Sequence, residues 1–293
     1  MIDRYLLRYF LAVVDCGSFS KAAKQLNVAQ PTLSVGIAKL ERLLSASLFQ
    51  RSSKRVHLTE AGTRLLAHAR RIESEFNEAE AAVLNMKPLR ALRLGVLSTF
   101  PMAHLSEAIR AAKRVRDSDR LQIVSGNERE LAQRLTRGQV DVALTIVHPD
   151  VDRFASEWLF CESYALALSS THPLADQTRI AAEDLADNTM IVRRHCEVLS
   201  ETSRHFTERG VRPFFAFRGT NDEQILTLVQ AGLGVTVMPA SYAHKGVVRP
   251  ELAGFEVKRH IGLAYAAHAE HLRHAASPLL DAIRDRYPRT QRS

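Results

Sequence analysis

Several short stretches of the chain place ligand-binding side chains where a strand turns into a helix. In "LSTFP" (97–101), Ser98, Thr99, Phe100 and the free backbone N–H groups would face an anion at the helix start. "VRRHCE" (192–197) puts Arg193, Arg194 and His195 at a second such junction, and an arginine fork matches a carboxylate with two parallel hydrogen bonds. "TIVHPD" (145–150) ends another strand with His148. Asn221 follows "FRGT" at a further junction, with Asp222 placed to cap the next helix. This is chemistry for holding a small organic anion, not for turning it over. There is no G-x-S-x-G, no P-loop and no G-x-G-x-x-G, so neither an enzyme nor a cofactor is expected.

Two further groups carry reactive potential. Cys196 starts a helix beside Arg193, Arg194 and His195, where a thiol pKa can be depressed, so it is a candidate redox residue. "HAEHLRH" (268–274) spaces three histidines at i, i+3 and i+6. Carboxylate or thiolate support there is thin, so no metal site is assigned. The three cysteines, Cys16, Cys161 and Cys196, are scattered and odd in number, which fits a reducing cytoplasm and not a disulfide framework.

The elements that must position these groups alternate along the second part of the chain. Short apolar strands ("ALRLGVLS", "RLQIVSG", "VDVALTIV", "SYALALSS", "TMIVRR", "FFAFRG", "GVTVMP", "IGLAYAA") are separated by helices near 101–115, 128–137, 197–209, 222–231 and 276–286. That alternation implies an α/β unit with mainly parallel sheets covered on both faces.

The first quarter differs in charge. Residues 1–70 hold eleven Lys and Arg against four acids, whereas the remainder is almost balanced, with 29 basic and 28 acidic residues. A field so concentrated points to a polyanion, most simply nucleic acid. Leu6, Phe10, Val13 and Val14 share one face of a first helix ended by Gly17. Ser18 or Ser20 can cap a second helix that carries Ala22, Ala23 and Leu26 inward. After "NVAQP", a third helix repeats Leu33, Ile37, Leu40 and Leu44, with Pro31 in its first turn, where the missing N–H costs nothing. This is a helix-turn-helix on a basic background. "LFQRSSKRVHLTEAG" reads as two strands around a basic tip, a wing whose Arg51, Lys54 and Arg55 lie on phosphates. From Thr59 to about Met86 a long helix repeats Leu65, Ala69, Ile72, Phe76, Ala79 and Val83 at 4-3-4-3-4, a seam for a homodimer. "NMKPLRAL" follows as a linker. The N-terminal apolar run is broken by Arg4 and Arg8, so it reads as an amphipathic helix, and no stretch is long enough to span a membrane.

In this order, the sequence resembles a LysR-type transcriptional regulator. "SFSKAAKQLNVAQPTLSVGIAKLERLLSASLFQRSSKRVHLTEAG" is similar to the DNA-binding block of that family, and "HPLA" (172–175) and "LVQAGLGVTVMP" (228–239) resemble landmarks of its effector domain. The resemblance implies a winged helix-turn-helix over 1–58, a dimerising linker helix and hinge over 59–89, and an effector domain over 90–293. It also implies two effector subdomains (about 90–161 with 267–293, and 162–266) around a periplasmic-binding-protein-like cleft. Ser98, Thr99, Phe100, His148, Arg193, Arg194 and Asn221 would then line that cleft, and the protein would be a cytoplasmic homodimer or homotetramer. Where the family commonly has a capping Ser, Ala29 stands, at a cost of about 1 kcal/mol. Where it has long polar residues, Val35 and Gly36 stand. DNA-facing residues would therefore be Ser20, Gln30, Pro31, Thr32, Ser34 and Lys39, with Val35 packing on a thymine methyl in an AT-leaning site. Peroxide-sensing members of the family place a reactive cysteine in the region of Cys196 and a resolving thiol a few residues on; no cysteine follows Cys196 here.

Overall fold

A computed structural model of the chain describes residues 1–50, 56–83, 91–115, 120–148 and 153–287. The wing-tip residues Arg51, Lys54 and Arg55 lie outside the described residues.

Three helices, α1 (Arg4–Cys16), α2 (Phe19–Gln25) and α3 (Gln30–Leu44), enclose one apolar core. Gly17 ends α1 in the left-handed conformation that its missing Cβ permits. Ser18 occupies the N-cap of α2, but its hydroxyl makes no capping bond; Ser20 lies inside the helix and is exposed. The N-cap of α3 is Ala29, which offers no side-chain acceptor, and Pro31 is the second residue of that helix. Two strands, β1 (Phe49–Gln50) and β2 (His57–Leu58), pair antiparallel beside it. Thr59 then caps α4 (Glu60–Val83), accepting from Gly62 N at 3.0 Å.

The remaining chain forms the two-part α/β unit. Strands β3 (Ala91–Leu97), β4 (Arg120–Gly126) and β5 (Val142–Ile146) are parallel, in the order β4-β3-β5. Helices α5 (Met102–Ala112) and α6 (Glu128–Thr136) connect them. Strand β6 (Ala155–Ser169) leaves this first subdomain for the second, where β7 (Arg179–Ile180), β8 (Met190–Arg193), α7 (Leu199–Glu208), β9 (Phe215–Gly219), α8 (Asp222–Gln230), β10 (Thr236–Pro239), β11 (Val247–Val248) and β12 (Glu251–Leu252) follow. Strand β13 (Lys258–Tyr265) returns, and α9 (Pro278–Arg286) packs on α5.

Three expectations need correction. The sheets are mixed: β3, β4, β5 and the β8–β9 pair are parallel, but β13 runs antiparallel to both β5 and β6, and β10 is antiparallel to β6. The reason is that β6 and β13 cross between the subdomains in opposite directions. The return therefore falls at β13 and not at residue 267. Residues Ile261–Tyr265 pair with β5, and Ile261, Leu263 and Tyr265 are buried in the first subdomain's core. Strand β6 also begins well before "SYALALSS", because its first half carries polar residues that mask the alternation.

Candidate DNA-binding face and effector cleft

The third helix turns Leu33, Gly36, Ile37 and Leu40 inward and leaves Gln30, Pro31, Thr32 and Val35 exposed on one face, with Ser34 half-buried. Val35 is 70% exposed. Gln30 Nε2 donates to Ser34 Oγ at 3.3 Å, which pre-aligns two polar groups on that face. Gly36 is not on it. A Cβ there would stand 2.6 Å from the Tyr9 ring of α1, so this glycine permits close packing of α1 on α3. Lys39 is also turned toward α1, donating to Tyr5 Oη at 3.0 Å and lying 3.7 Å from Asp3. Its ammonium is held by its own domain rather than offered wholly to phosphate. Arg42, seven residues after Val35, extends the exposed face further along the helix and escaped sequence reasoning.

Of the seam residues on α4, Ala69 is fully buried and Leu65 half-buried, both against the N-terminal core, so they serve their own chain. Ile72, Phe76, Ala79 and Val83 are exposed and continue the 4-3-4 spacing. Arg4 of α1 steadies that stretch: its guanidinium lies 4.7 Å from the Phe76 ring centroid and donates to Glu73 and Asn77.

In the effector unit the junction residues do not converge as their types had implied. Arg193 is buried and forks onto Asp222, with Nε and Nη2 at 2.7 and 2.6 Å from the two carboxylate oxygens. Tyr242 Oη donates to the same carboxylate at 2.8 Å, so this is an internal ion pair within the second subdomain. Asp222 is thus a counterion; the cap of α8 is Asn221, accepting from Gln224 N at 3.1 Å. Arg194 is exposed. His148 pairs with Glu128 at 2.8 Å at the rim of a separate recess in the first subdomain. Phe100 is buried in that subdomain's core. Among the three histidines, His268 is buried and bonds Asp141 at 2.8 Å, whereas His271 and His274 are exposed, so they do not gather on one site.

What does bridge the two subdomains is Arg259 of β13, which sequence reasoning missed. Its buried guanidinium donates to Thr99 Oγ1 and to the Thr99 carbonyl, both at 3.0 Å, on the first subdomain. It donates to Glu162 on the crossing strand at 2.9 Å and to Glu197 Oε1 at the start of the second subdomain's helix at 2.5 Å. Tyr164 Oη donates to the same Glu197 oxygen at 2.7 Å. Glu197 Oε2 and Ser98 Oγ are buried and have no hydrogen-bond partner. Burial alone would raise the Glu197 carboxyl, but the Arg259 charge and its hydrogen bonds hold it below the ordinary carboxylate value. A lone Arg among polar neighbours in "EVKRHIG" carries no local signal, because its partners are 62 to 160 positions away.

Cys196 sits one residue before Glu197, and Arg193 Nη1 lies 3.4 Å from its sulfur. Burial pushes this thiol up, and the Arg193 charge only partly opposes that. It lines an apolar cavity of about 350 Å³ with Met190, Leu199, Phe206 and Phe215. Cys161 is on the face of β6 opposite to Glu162 and Tyr164, by strand alternation, and so points away from the Glu197 junction.

Comparison with known proteins agrees with this architecture. Residues 5–63 match the family model described as "Bacterial regulatory helix-turn-helix protein, lysR family", and residues 87–288 match "LysR substrate binding domain". A probable hydrogen peroxide-inducible genes activator of Mycobacterium avium is 33% identical over 241 residues, 80% of this chain and 77% of that protein. The hydrogen peroxide-inducible genes activator of Pectobacterium carotovorum subsp. carotovorum is 28% identical over 287 residues, 95% of each chain. A full-length OxyR variant from Pseudomonas aeruginosa superimposes with a TM-score of 0.67 at 24% identity, covering 97% of this chain and 95% of that one. The winged helices, the linker helix and the two-part effector unit thus make this chain a member of the LysR family, a non-enzymatic DNA-binding transcriptional regulator.

Proposed function

We propose that this regulator's DNA affinity is set by a small carboxylate that enters between the two effector subdomains and exchanges with Glu197 at Arg259. The observation that carries this reading is that one buried guanidinium holds Thr99, Glu162 and Glu197 at once. An incoming carboxylate can take the Glu197 position only if Glu197 swings out, because three carboxylates around one cation repel. That swing moves the start of α7 relative to β3 and so changes the subdomain angle. Ser98, with its unpartnered hydroxyl, supplies a further donor on the first subdomain. The four exposed seam residues of α4 join two copies, placing two α3 faces on successive major grooves, so a changed angle becomes a changed half-site spacing. The test is a titration of full-length protein on DNA upstream of its own gene, with a panel of small carboxylates. Wild-type affinity responds to a member of the panel, Glu197→Gln responds at lower concentration, and Arg259→Gln does not respond. No response by any variant to any acid removes the reading.

A second reading has its own support. The relatives named above are hydrogen peroxide-inducible activators, and Cys196 lies against Arg193 and beside Glu197. Loss of the thiol proton and attack of the thiolate on a hydrogen peroxide oxygen would form an S–O bond and break the O–O bond, and the departing hydroxide would take up a proton to become water. With Cys161 facing away, that product would remain a sulfenic acid and not close a disulfide within the chain. Abolition of a peroxide response in Cys196→Ser would favour this reading; an unchanged response would exclude it.

A further inference from the structure

The DNA-binding unit and the effector unit meet in a seam built on charge. Asp15 is in the last turn of α1, where the helix dipole disfavours a carboxylate and where no basic residue of that turn compensates it. Its partner comes from α4. Both terminal nitrogens of Arg70 bond the Asp15 carboxylate, one of them at 3.1 Å. The second of those nitrogens also donates to the Gly138 carbonyl of the effector unit at 3.1 Å. Arg70 is 15% exposed at its side chain, and the Asp15 carboxylate it holds is more open, at 35%.

The effector side of the seam is held just as firmly. Arg93 of β3 lies 3.9 Å from Asp15. It is anchored by Asp141, whose carboxylate accepts from the Arg93 backbone N–H at 2.8 Å and from its Nε at 3.1 Å. His268 closes the cluster on Asp141. Gly138 adopts φ +60, and a Cβ there would stand 3.0 Å from Leu66 Cδ2 of α4, so the seam is also close-packed at that point. Leu66 is buried and its neighbour Ala69 belongs to the N-terminal core, so α4 cannot shift here without moving the winged helix with it.

We propose that Arg70 is the positioning residue that couples the pose of the helix-turn-helix to the effector unit. It touches no DNA in this role. Its fork is consumed by Asp15 and Gly138, and it acts through them by fixing where α1 and α4 stand against β3 and the α6–β5 connection.

The experiment uses full-length protein and the DNA upstream of its own gene, footprinted first, then rebuilt with half-site spacing changed by one and two base pairs. Wild type should lose about tenfold in affinity at the wrong spacing, whereas Arg70→Gln should lose under about threefold, with affinity for the native spacing nearly kept. Hydrogen exchange in Arg70→Gln should quicken both at 15–17 and at 137–141, a pairing that a role confined to the N-terminal core would not produce. Asp15→Asn, which keeps side-chain volume, should reproduce both effects, and it alone decides if Arg70→Gln fails to fold. Wild-type spacing dependence in the folded variants overturns the proposal. So does faster exchange confined to α1 and α4.

Discussion

Arg193 and Arg259 are equally buried, each at 3% exposure, yet only Arg259 joins the two halves of the effector unit. Arg193 is spent on Asp222, whose carboxylate also accepts from Tyr242, within one subdomain. Removing its partner leaves a buried charge uncompensated, so Asp222→Asn should lower folding stability by about 3–5 kcal/mol, read as a reduced urea midpoint. Val35 makes a different point. It is exposed on the groove face, so Val35→Arg should add one phosphate contact, strengthen binding at low salt by about tenfold and steepen the salt slope by about one. An unchanged slope would mean that position 35 does not approach the backbone.

At the scale of elements, α4 divides in two. Its first half is core for the winged helix, through Leu66 and Ala69; its second half offers Ile72, Phe76, Ala79 and Val83 to solvent. The two halves should respond oppositely to a buried or exposed charge. Phe76→Glu should dissociate the oligomer in sedimentation while helical content stays, and Ala69→Glu should instead unfold the N-terminal unit, since it forces a charge into a packed site. Loss of helicity in Phe76→Glu would place that residue in the fold rather than at an interface. Strand β6 shows the same division: its first half pairs with β13, which also pairs with β5, and its second half pairs with β10.

Over the whole molecule, acid should act through the carboxylates that hold the units together. Burial alone would raise Asp141, but its bonds to His268 and Arg93 depress it well below the ordinary range, and Glu197 is lowered beside Arg259. A depressed carboxylate stabilises the fold above the pKa it has when unfolded and loses that contribution as pH falls through its folded value. The contribution of these two carboxylates should therefore be constant above about pH 5 and decline below about pH 4, and Asp141→Asn should be less stable at neutral pH with a shallower acid decline. An unaltered acid profile in that variant would show that the cluster contributes no net linkage. Among the described residues, no helix is long and apolar enough to cross a membrane.

Patterns short enough to lie within one helix or strand were legible from the sequence alone. The three inward stripes of α1, α2 and α3 and the strand–helix alternation of the effector unit depend on local periodicity, and charge concentrated before residue 70 pointed to nucleic acid. The junction residues were legible as a class but not in their pairings. Arg193 met Asp222 across 29 positions, and Arg259 met Thr99 across 160, distances at which only the crossing of β6 and β13 decides which side chains meet. For the same reason Gly36 showed in the sequence only as a missing long polar side chain, and the Tyr9 ring packed against it gives the glycine its reason. Local sequence determined which elements form and which face each buries, because helix and strand periods are properties of neighbouring residues. Tertiary structure alone decided which buried charge is a counterion, which is a latch between subdomains and which is a joint between domains, because a charge takes its role from the partner that the fold brings to it.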